Sequence, residues 1–211
     1  MENITNNENE ETKDFEIVTR DIPIILSAPH CVRQLRNGMI QAKESFTDTF
    51  AITISEKENI NCIYKTIFLN DDANADKDSS YKLALKEFVE SNNIKYLIDL
   101  HTMSAKRLPD VCISINSGKN IKNNYDLLQQ LINAFNNNGI SSVTVDEPFK
   151  ASDPNCISNY ISTTCGIPCF HIELNKKFAN PLNFIFKPTF NKQAVDNALT
   201  EVVKVLKNNL S

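Results

Sequence analysis

The sequence predicts a three-layer α/β fold, in which helices cover both faces of a mostly parallel mixed sheet. Three observations favour this class. Short apolar and β-branched runs alternate along the chain with segments of helical periodicity. The 211 residues, 41% of them hydrophobic, are enough for one domain with its own core. Strands that are separated by helices need crossover connections, which give parallel neighbours with helices on both sides.

The first half of the predicted domain opens on a buried strand over Ile22–Ser27, which is apolar almost throughout. Helix-like spacing of apolar residues follows over Glu44–Lys57, and a β-branched and aromatic strand over Asn61–Phe68. Apolar residues at helical spacing predict a second helix over Ser79–Ser91. The continuous apolar run Ile94–Leu100 predicts the third strand.

The second half continues this alternation. Val111–Ile115 predicts a strand, and Asn123–Phe135 predicts a helix that ends in an asparagine run and Gly139. The remaining elements are a short strand, a helix, a strand and a final helix, predicted in that order over Ser142–Val145, Cys156–Thr164, Ile167–Leu174 and Lys192–Asn208.

Residues 1–14 are acidic and almost free of apolar side chains, so we expect a disordered tail before a single domain over residues 15–211. The net charge of −4, without long basic runs, disfavours binding to nucleic acid through a basic field. No apolar stretch approaches the roughly 18 residues of a membrane span. The tail does not resemble a secretory signal, and the six cysteines form no CxxC pair. We therefore expect reduced thiols and a cytoplasmic location.

All three histidines of the chain fall at the ends of predicted strands. A single histidine in such a position is more often structural than a ligand, but three of three weakens that interpretation. The carboxyl ends of parallel strands meet at one edge of the sheet, where active sites form. The segments concerned are Ser27-Ala28-Pro29-His30, Asp99-Leu100-His101 and His171-Ile172-Glu173.

Two histidines and an acid are a common ligand set for hydrolytic zinc, which keeps one coordination position open for water. The acid must lie near the first histidine, His30. Glu44 and Asp48 are the candidates, and they share one face if their segment is helical. Asp99 points to the same side as His101 and would either fix that imidazole or cap a neighbouring loop.

Glu173 is a candidate proton-transferring base. It lies two residues after His171, so both side chains project from the same face of the predicted strand. A carboxylate inside an apolar strand is unusual unless it is paired or functional. His171 itself has three open interpretations: it orients Glu173, contacts the substrate or serves as an extra metal ligand.

The order of these motifs resembles the N-formylglutamate amidohydrolase-like family. The pattern runs Ser-Ala-Pro-His-x5-Arg-x-Gly-x4-Lys-Glu-x2-Thr, then Asp-Leu-His, then Ile-Glu-Leu-Asn, from about Ile24 to Asn175. That family is similar to the zinc carboxypeptidases and has a phosphorylase/hydrolase-like α/β fold. The resemblance therefore implies the same fold for this chain, and a zinc-dependent hydrolase of an amide bond in a small N-acyl amino acid or peptide.

The resemblance also implies roles for individual residues. One zinc ion per chain would be held by three ligands, in which Glu44 is preferred to Asp48: His30, Glu44 and His101. The family's general base falls on Glu173. Asn175 would lie at the pocket edge, and the segment that begins at Asn155 would line the substrate site.

The sequence departs from the family pattern at three places. His171 stands where the family usually has glutamine, and no arginine follows Glu173 within the next few residues. The family's Asp-x-Asn-Arg motif lacks its arginine here, where it reads Asp72-Ala73-Asn74-Ala75. A planar guanidinium grips a carboxylate in a bidentate manner, so these losses argue against N-formylglutamate itself as the substrate. The remaining candidate clamps are Arg33, Arg36 and Arg107, among which the Arg-x-Gly segment favours Arg36.

Two other classes of function stay open. The first is a cysteine hydrolase, because Cys31 follows His30 and Cys169 precedes His171 by two residues. Buried cysteine is nevertheless usually an inert apolar residue. The second is a non-catalytic binding module that has kept the fold.

Overall fold

The protein forms a seven-stranded mixed sheet with helices on both faces. The computed structural model describes residues 13–179 and 192–210. Within them the strands are β1 (Phe15–Val18), β2 (Ile22–Ala28), β3 (Gln34–Arg36), β4 (Met39–Gln41), β5 (Ile60–Lys65), β6 (Tyr96–Met103), β7 (Val111–Ser114), β8 (Val143–Val145) and β9 (Cys169–Asn175). The helices are α1 (Thr47–Glu58), α2 (Ser80–Ser91), α3 (Tyr125–Asn137), α4 (Ile157–Cys165) and α5 (Lys192–Asn208).

The strand order confirms the predicted fold class. The main sheet runs β1-β5-β2-β6-β9-β7-β8. Its four central strands, β5, β2, β6 and β9, are mutually parallel, whereas β1 and β7 run antiparallel to their neighbours β5 and β9. β8 pairs with β7 in parallel. β2 lies between β5 and β6. The chain runs from β2 to its neighbour β5 on one side and then crosses to β6 on the other side, so the winding direction reverses at this point. Such a reversal leaves a crevice at the carboxyl ends of β2 and β6.

Two apolar layers hold the helices against this sheet. Alternate residues of β6 point to opposite faces, as the period of a strand requires. Ile98 and Leu100 join the larger core, with side chains of α1, α3 and α5, whereas Leu97 joins the smaller core beneath α2 and α4. The apolar burial of the two faces thus fixes which side chains of the central strands meet each helical layer.

Every strand and helix predicted from the described part of the sequence is present, with ends shifted by a few residues. α5 has the predicted bounds, and Ser79 accepts a hydrogen bond from the backbone N–H of Lys82 as the N-cap of α2. β6 continues beyond its predicted end at Leu100, so that His101 lies inside the strand.

The β3–β4 hairpin was missed, although its turn has a strong sequence signal. Asn37 and Gly38, both with positive φ, connect strands in which Arg36 pairs with Met39. An Asn-Gly pair is the preferred turn for a two-residue hairpin. The four-residue edge strand β1 was also missed, since it is too short for its alternation to be distinctive.

The predicted helix over Glu44–Lys57 starts too early. α1 begins at Thr47, after Phe46, whose φ of 72° is left-handed and cannot continue a helix backwards. Glu44 therefore lies in the loop before α1, and Asp48 lies in the first turn of that helix. The two acids do not share a helical face.

The last residue of the expected tail, Asp14, packs against the folded domain. Asp14 is buried, where its carboxylate accepts hydrogen bonds from the Lys65 ammonium at 2.5 Å and from Ser80 Oγ at 2.7 Å. Residues 1–12 of the expected tail lie outside the described residues. In the part of the chain that is described, none of the helices combines the length and the apolar character needed to cross a bilayer.

Candidate functional site

The functional side chains lie on the face of the sheet that α2 and α4 cover, towards the carboxyl ends of the central strands. Along this face of β6, Leu97 is followed by Asp99 and His101, and along β9, His171 is followed by Glu173. The strand register places Asp99 beside His171 and His101 beside Glu173. This face of the sheet is thus apolar along most of its length and becomes polar at the edge that contains the crevice between β2 and β6.

His30 and Glu44 reach the same place from two loops. His30 follows β2, and Glu44 precedes α1, held by a hydrogen bond from its backbone N–H to the carbonyl of His30 at 2.8 Å. The backbone N–H of Thr102 in β6 donates to Glu44 Oε2 at 2.7 Å. These two backbone contacts fix Glu44 between the loop after β2 and the strand that carries His101.

Three side chains then converge on one point, and we call them the ligand triad: His30, Glu44 and His101. The Nδ1 atoms of the two imidazoles lie 3.1 Å apart. Glu44 Oε1 lies 2.9 Å from His30 Nδ1, and Glu44 Oε2 lies 3.3 Å from His101 Nδ1. The triad offers two imidazole nitrogens and a carboxylate within 4.8 Å of one another, a donor set that suits zinc.

The outer nitrogen of each triad histidine faces a carboxylate. His30 Nε2 is hydrogen-bonded to Asp72 Oδ1 at 2.8 Å, and Arg36 Nε donates to the other oxygen of Asp72 at 2.7 Å. His101 Nε2 lies 3.3 Å from Asp99 Oδ2, although the two are not aligned for a hydrogen bond. A carboxylate behind the imidazole is typical of metal-ligating histidines, because it fixes the ring and its tautomer.

Asp72 was not predicted to take part in this arrangement. In the sequence, Asp72 is notable only as the first residue of the Asp-x-Asn-Arg motif, which lacks its arginine in this chain. Arg36, from the β3–β4 hairpin, supplies a guanidinium to Asp72 from a different part of the chain. Sequence spacing gives no sign of this pairing, since the hairpin and Asp72 are joined only by the fold.

Asp99 is fully buried at the centre of the site. Ser27 Oγ donates to its Oδ1 at 2.9 Å, and Ser158 Oγ of α4 donates to its Oδ2 at 3.3 Å. Burial by itself would raise the pKa of Asp99, but the imidazoles of His101 and His171 lower it below its ordinary range. Asp99 is therefore an anion held in place by two hydroxyls and two rings.

The charges of the triad are mutually dependent. Burial favours the neutral form of His101, yet Asp99 and Glu44 outweigh burial and raise its pKa to about 10. Burial likewise would raise the pKa of Glu44, but His101 and His30 lower it well below its usual value. The carboxylates therefore favour a positive charge at the two imidazoles, which either a bound proton or, once that proton is released, a bound cation would supply.

His171 and Glu173 form the other half of the site. The ring of His171 stacks on that of His101, with centroids 4.3 Å apart. Its Nδ1 lies 3.3 Å from Asp99 Oδ2, and its Nε2 lies 3.3 Å from Glu173 Oε1. Asp99, His101 and His171 also lie close enough together to form a second, fully buried potential ligand group.

A cavity of about 290 Å³ opens over these residues. One side is lined by the triad, His171 and Glu173, and the opposite side by the consecutive residues 149–153. That segment is anchored by main-chain contacts: the Phe149 carbonyl accepts from Ser114 Oγ at 2.8 Å, and the Lys150 carbonyl from the Asn116 N–H at 2.9 Å. The side of the cavity that carries the triad, His171 and Glu173 therefore faces a wall of fixed position.

The predicted substrate-binding residues divide into two groups. Arg36 and His171 line the cavity. Among the described residues, the cavity wall does not include the other three, Arg107, Asn155 and Asn175. Arg107 lies over the ring of Phe149, 4.6 Å from its centroid, and so supports the wall from behind.

Asn175 and Asn155 have hydrogen bonds to other parts of the protein instead. The Asn175 amide donates to the carbonyls of Arg107 and Pro109 at 3.0 and 2.9 Å, and these contacts hold the loop after β6. The Asn155 backbone N–H donates to Asp153 Oδ1 at 2.8 Å in the turn before α4. The third candidate clamp, Arg33, lies over the ring of Phe68.

The cysteines that suggested a thiol mechanism are buried elsewhere. Cys31 Sγ donates to the carbonyl of Ala28 at 2.9 Å, and burial raises the pKa of this thiol to about 12. Burial also raises the pKa of Cys169 well above its ordinary value. Neither Cys31 nor Cys169 lines the cavity. Cys156 does line it, and its Sγ lies 4.0 Å from His171 Nδ1. Cys156 belongs to the segment, beginning at Asn155, that was expected to line the substrate site.

No protein-family model matches the chain, and no curated protein matches it in sequence. Solved structures do match it in fold. A bacteriophage poly-gamma-glutamate hydrolase is 13% identical, with a TM-score of 0.62 over 92% of this chain and 88% of that one. The N-formylglutamate amidohydrolase from Ralstonia eutropha JMP134 is also 13% identical, with a TM-score of 0.62 over 92% of this chain and 97% of that one.

The metallo-carboxypeptidases match over a smaller share of their length. The enzyme from Pseudomonas aeruginosa is 14% identical, with a TM-score of 0.55 over 92% of this chain but 60% of that one. These identities are low, so the similarity concerns the path of the backbone. The chain has the α/β/α fold that is found in N-formylglutamate amidohydrolase and in metallo-carboxypeptidases, as the motifs of its sequence predicted.

Proposed function

We propose that the protein is a zinc-dependent hydrolase that cleaves an amide bond in a small N-acyl amino acid or peptide. One observation carries the proposal: the inner nitrogens of His30 and His101 meet Glu44, while the outer nitrogens of both rings face buried carboxylates. The two inner nitrogens lie 3.1 Å apart, close enough to share a proton or a cation. The names of the solved structures with this fold, which include a hydrolase, an amidohydrolase and carboxypeptidases, support the same class of reaction.

The ligand triad would hold one zinc ion per chain. Three protein ligands are the usual number for a hydrolytic zinc site, in which a fourth position stays open. When bound, zinc would lower the pKa of a water molecule to about 7 and polarise the carbonyl of the substrate. Asp72 and Asp99 would keep the two imidazoles oriented towards the ion.

Glu173 would transfer the proton. Its side chain lines the cavity beside the triad, and its Oε2 is buried without a hydrogen-bond partner among the described residues. That oxygen has no competing hydrogen bond from the described part of the protein, so its acceptor positions are available. Glu173 would accept the proton of the attacking water and return it to the amine that leaves.

Arg36 would contact an anionic part of the substrate. Its Nε is committed to Asp72, but its side chain is 45% exposed and lines the cavity, so the rest of the guanidinium remains accessible. The lysine of the opposite wall, Lys150, is exposed at the same cavity. These positive charges support a substrate with a carboxylate, such as an N-acyl amino acid or the end of a peptide.

We also propose a cytoplasmic location, because all six cysteines are free and five of them are buried without a disulfide partner. A small amide or peptide is the expected partner, and nothing in the net charge of −4 favours nucleic acid.

The function is tested by amine release from a panel of N-acyl amino acids and short peptides. Wild type is compared before and after removal of metal by a chelator and after zinc is restored. Glu173→Gln should bind zinc normally yet lose roughly 100-fold or more of the activity, since proton transfer contributes about 10²–10⁴-fold. Glu87→Gln on the exposed side of α2 is the matched control. Full activity of Glu173→Gln, or of the metal-free protein, would contradict the proposal.

A further inference from the structure

We propose that His171 is a positioning residue: it holds Oε1 of Glu173 and thereby fixes the orientation of this carboxylate in the wall of the cavity. This inference rests on the proposed function, in which Glu173 is the base. It resolves the three interpretations that the sequence leaves open for His171, and it gives a role to the place where this chain departs from the glutamine of the family it resembles.

The ring of His171 is fixed on three sides. Its Nδ1 faces Asp99 Oδ2 at 3.3 Å, its Nε2 faces Glu173 Oε1 at 3.3 Å, and its plane stacks on His101 at an angle of 24°. Only 5% of the residue is exposed. A ring held in this way cannot turn without breaking its contact with Asp99, so its Nε2 is a stationary partner for the carboxylate two residues along the strand.

The contact decides which oxygen of Glu173 is free. The terminal torsion of a glutamate is broad and roughly two-fold, so an unrestrained carboxylate samples many orientations. With Oε1 beside His171, Oε2 is the atom left without a hydrogen-bond partner among the described residues. Because a reacting group misplaced by about 1 Å can cost about 100-fold in rate, this restraint matters for proton transfer.

Asp99 joins this arrangement to the ligand triad. It is fully buried, and its Oδ2 lies 3.3 Å from both His101 Nε2 and His171 Nδ1. Ser27 and Ser158 hold the carboxylate from behind. A single buried carboxylate therefore sets the position of a triad imidazole and of the imidazole that orients the base, so the base and the ligands keep a fixed relation.

The test compares His171→Leu with His171→Gln. Leucine removes both polar contacts, whereas the amide nitrogen of glutamine can donate to Glu173 Oε1 from nearly the same distance along the strand. We expect kcat to fall about 10- to 100-fold in His171→Leu and to recover largely in His171→Gln, with KM and zinc content unchanged in both. Thr163→Ala is the matched control, because Thr163 is an exposed residue of α4 whose hydroxyl contacts Asn159 and no residue of the site.

A crystal structure of each variant gives a readout that does not depend on activity. We expect Glu173 to adopt one orientation in wild type and His171→Gln, and several in His171→Leu. Any of three results would overturn the inference: a single unchanged orientation of Glu173 in His171→Leu, an equal loss of kcat in both variants, or a change in KM rather than kcat, which would make His171 a substrate contact. Activity that survives Glu173→Gln would instead overturn the proposed function, whatever the His171 variants show.

Discussion

The Nδ1 atoms of His30 and His101 lie 3.1 Å apart, although the residues are separated by 71 positions and come from a loop and a neighbouring strand. Two ring nitrogens at this distance need a shared proton or a shared cation between them. Glu44 lies within 3.3 Å of both nitrogens, which adds a negative charge at the same point. The sheet topology brings the two rings together, because the chain reverses its winding direction between β2 and β6 and so opens the crevice in which both rings lie.

The identity of the acidic ligand is tested by Glu44→Ala and Asp48→Ala. Glu44→Ala should weaken zinc binding by more than the roughly 10- to 100-fold that loss of a supporting partner costs. Asp48→Ala should leave zinc affinity unchanged, because the Asp48 carboxylate accepts from the backbone N–H of Thr49 and stays outside the triad. Competition titration against a coloured chelator measures both. Equal affinities for wild type and Glu44→Ala would remove Glu44 from the ligand set.

The support that Asp72 gives to His30 is tested by Asp72→Asn. An amide in place of the carboxylate no longer stabilises the proton on His30 Nε2, so zinc affinity should fall about 10- to 100-fold while the fold is kept. Asp71→Asn is the matched control, since the Asp71 carboxylate pairs with Lys65 instead of a triad histidine. The same chelator competition measures this change. Equal losses of zinc affinity in Asp72→Asn and Asp71→Asn would show that the loss comes from removing any nearby negative charge and not from the contact with His30.

Thiol chemistry gives a test of the cysteine-hydrolase alternative. If the proposed activity is metal-dependent, iodoacetamide at pH 8 should leave it intact in the folded protein, because the buried thiols of Cys31 and Cys169 keep their protons. The unfolded chain ionises its thiols near pH 9 (the ordinary value is 9.0), whereas folded Cys31 does so near pH 12. Rising pH across this window therefore favours unfolding, and stability should fall from pH 9 upwards.

Mass spectrometry of the alkylated protein identifies which thiols react. Cys165 is the partly exposed cysteine and should be modified before the five buried ones. Loss of activity in proportion to alkylation of Cys31 or Cys169 would favour the thiol mechanism over the proposed one. A flatter decline of stability above pH 9 in Cys31→Ala would confirm the contribution of that thiol to the pH dependence.

The start of the folded domain is tested by Asp14→Ala. This change removes a buried acceptor from the Lys65 ammonium and from Ser80, so the free energy of unfolding should fall by about 1.5–3 kcal/mol. Asp21→Ala is a suitable control, since the contact of Asp21 with Asn59 is exposed. Denaturant titration measures both variants, and an unchanged midpoint in Asp14→Ala would show that the domain starts later along the chain.

Much of the fold follows from patterns that are local in sequence. The buried runs of β2, β6 and β9 and the helical spacing of α2 and α5 are visible without knowledge of their neighbours. The position of His30, His101 and Glu173 near strand ends could also be predicted, because the carboxyl ends of parallel strands share one edge. These predictions need only the period of each element and one rule of sheet topology.

The remaining features depend on contacts between distant segments. Asp72 reaches His30 only after the loop that follows β5 folds over the site, and Arg36 reaches Asp72 only through a hairpin. The segment 149–153 faces the site because Ser114 and Asn116 hold its carbonyls. The amide of Asn175 likewise donates to the carbonyls of Arg107 and Pro109, which lie in a distant loop. Such pairings leave no periodic signal in the sequence.

The measurement that tests the central claim most directly is the metal content of purified wild-type protein and of His30→Ala, determined in parallel by mass spectrometry. The account predicts about one zinc per chain in wild type, lost in His30→Ala, and a rise in Tm when zinc is added to metal-free wild type. Wild-type protein that holds no metal and gains no stability from zinc would contradict it. The convergence of His30, Glu44 and His101 would then be a hydrogen-bonded cluster of a binding protein.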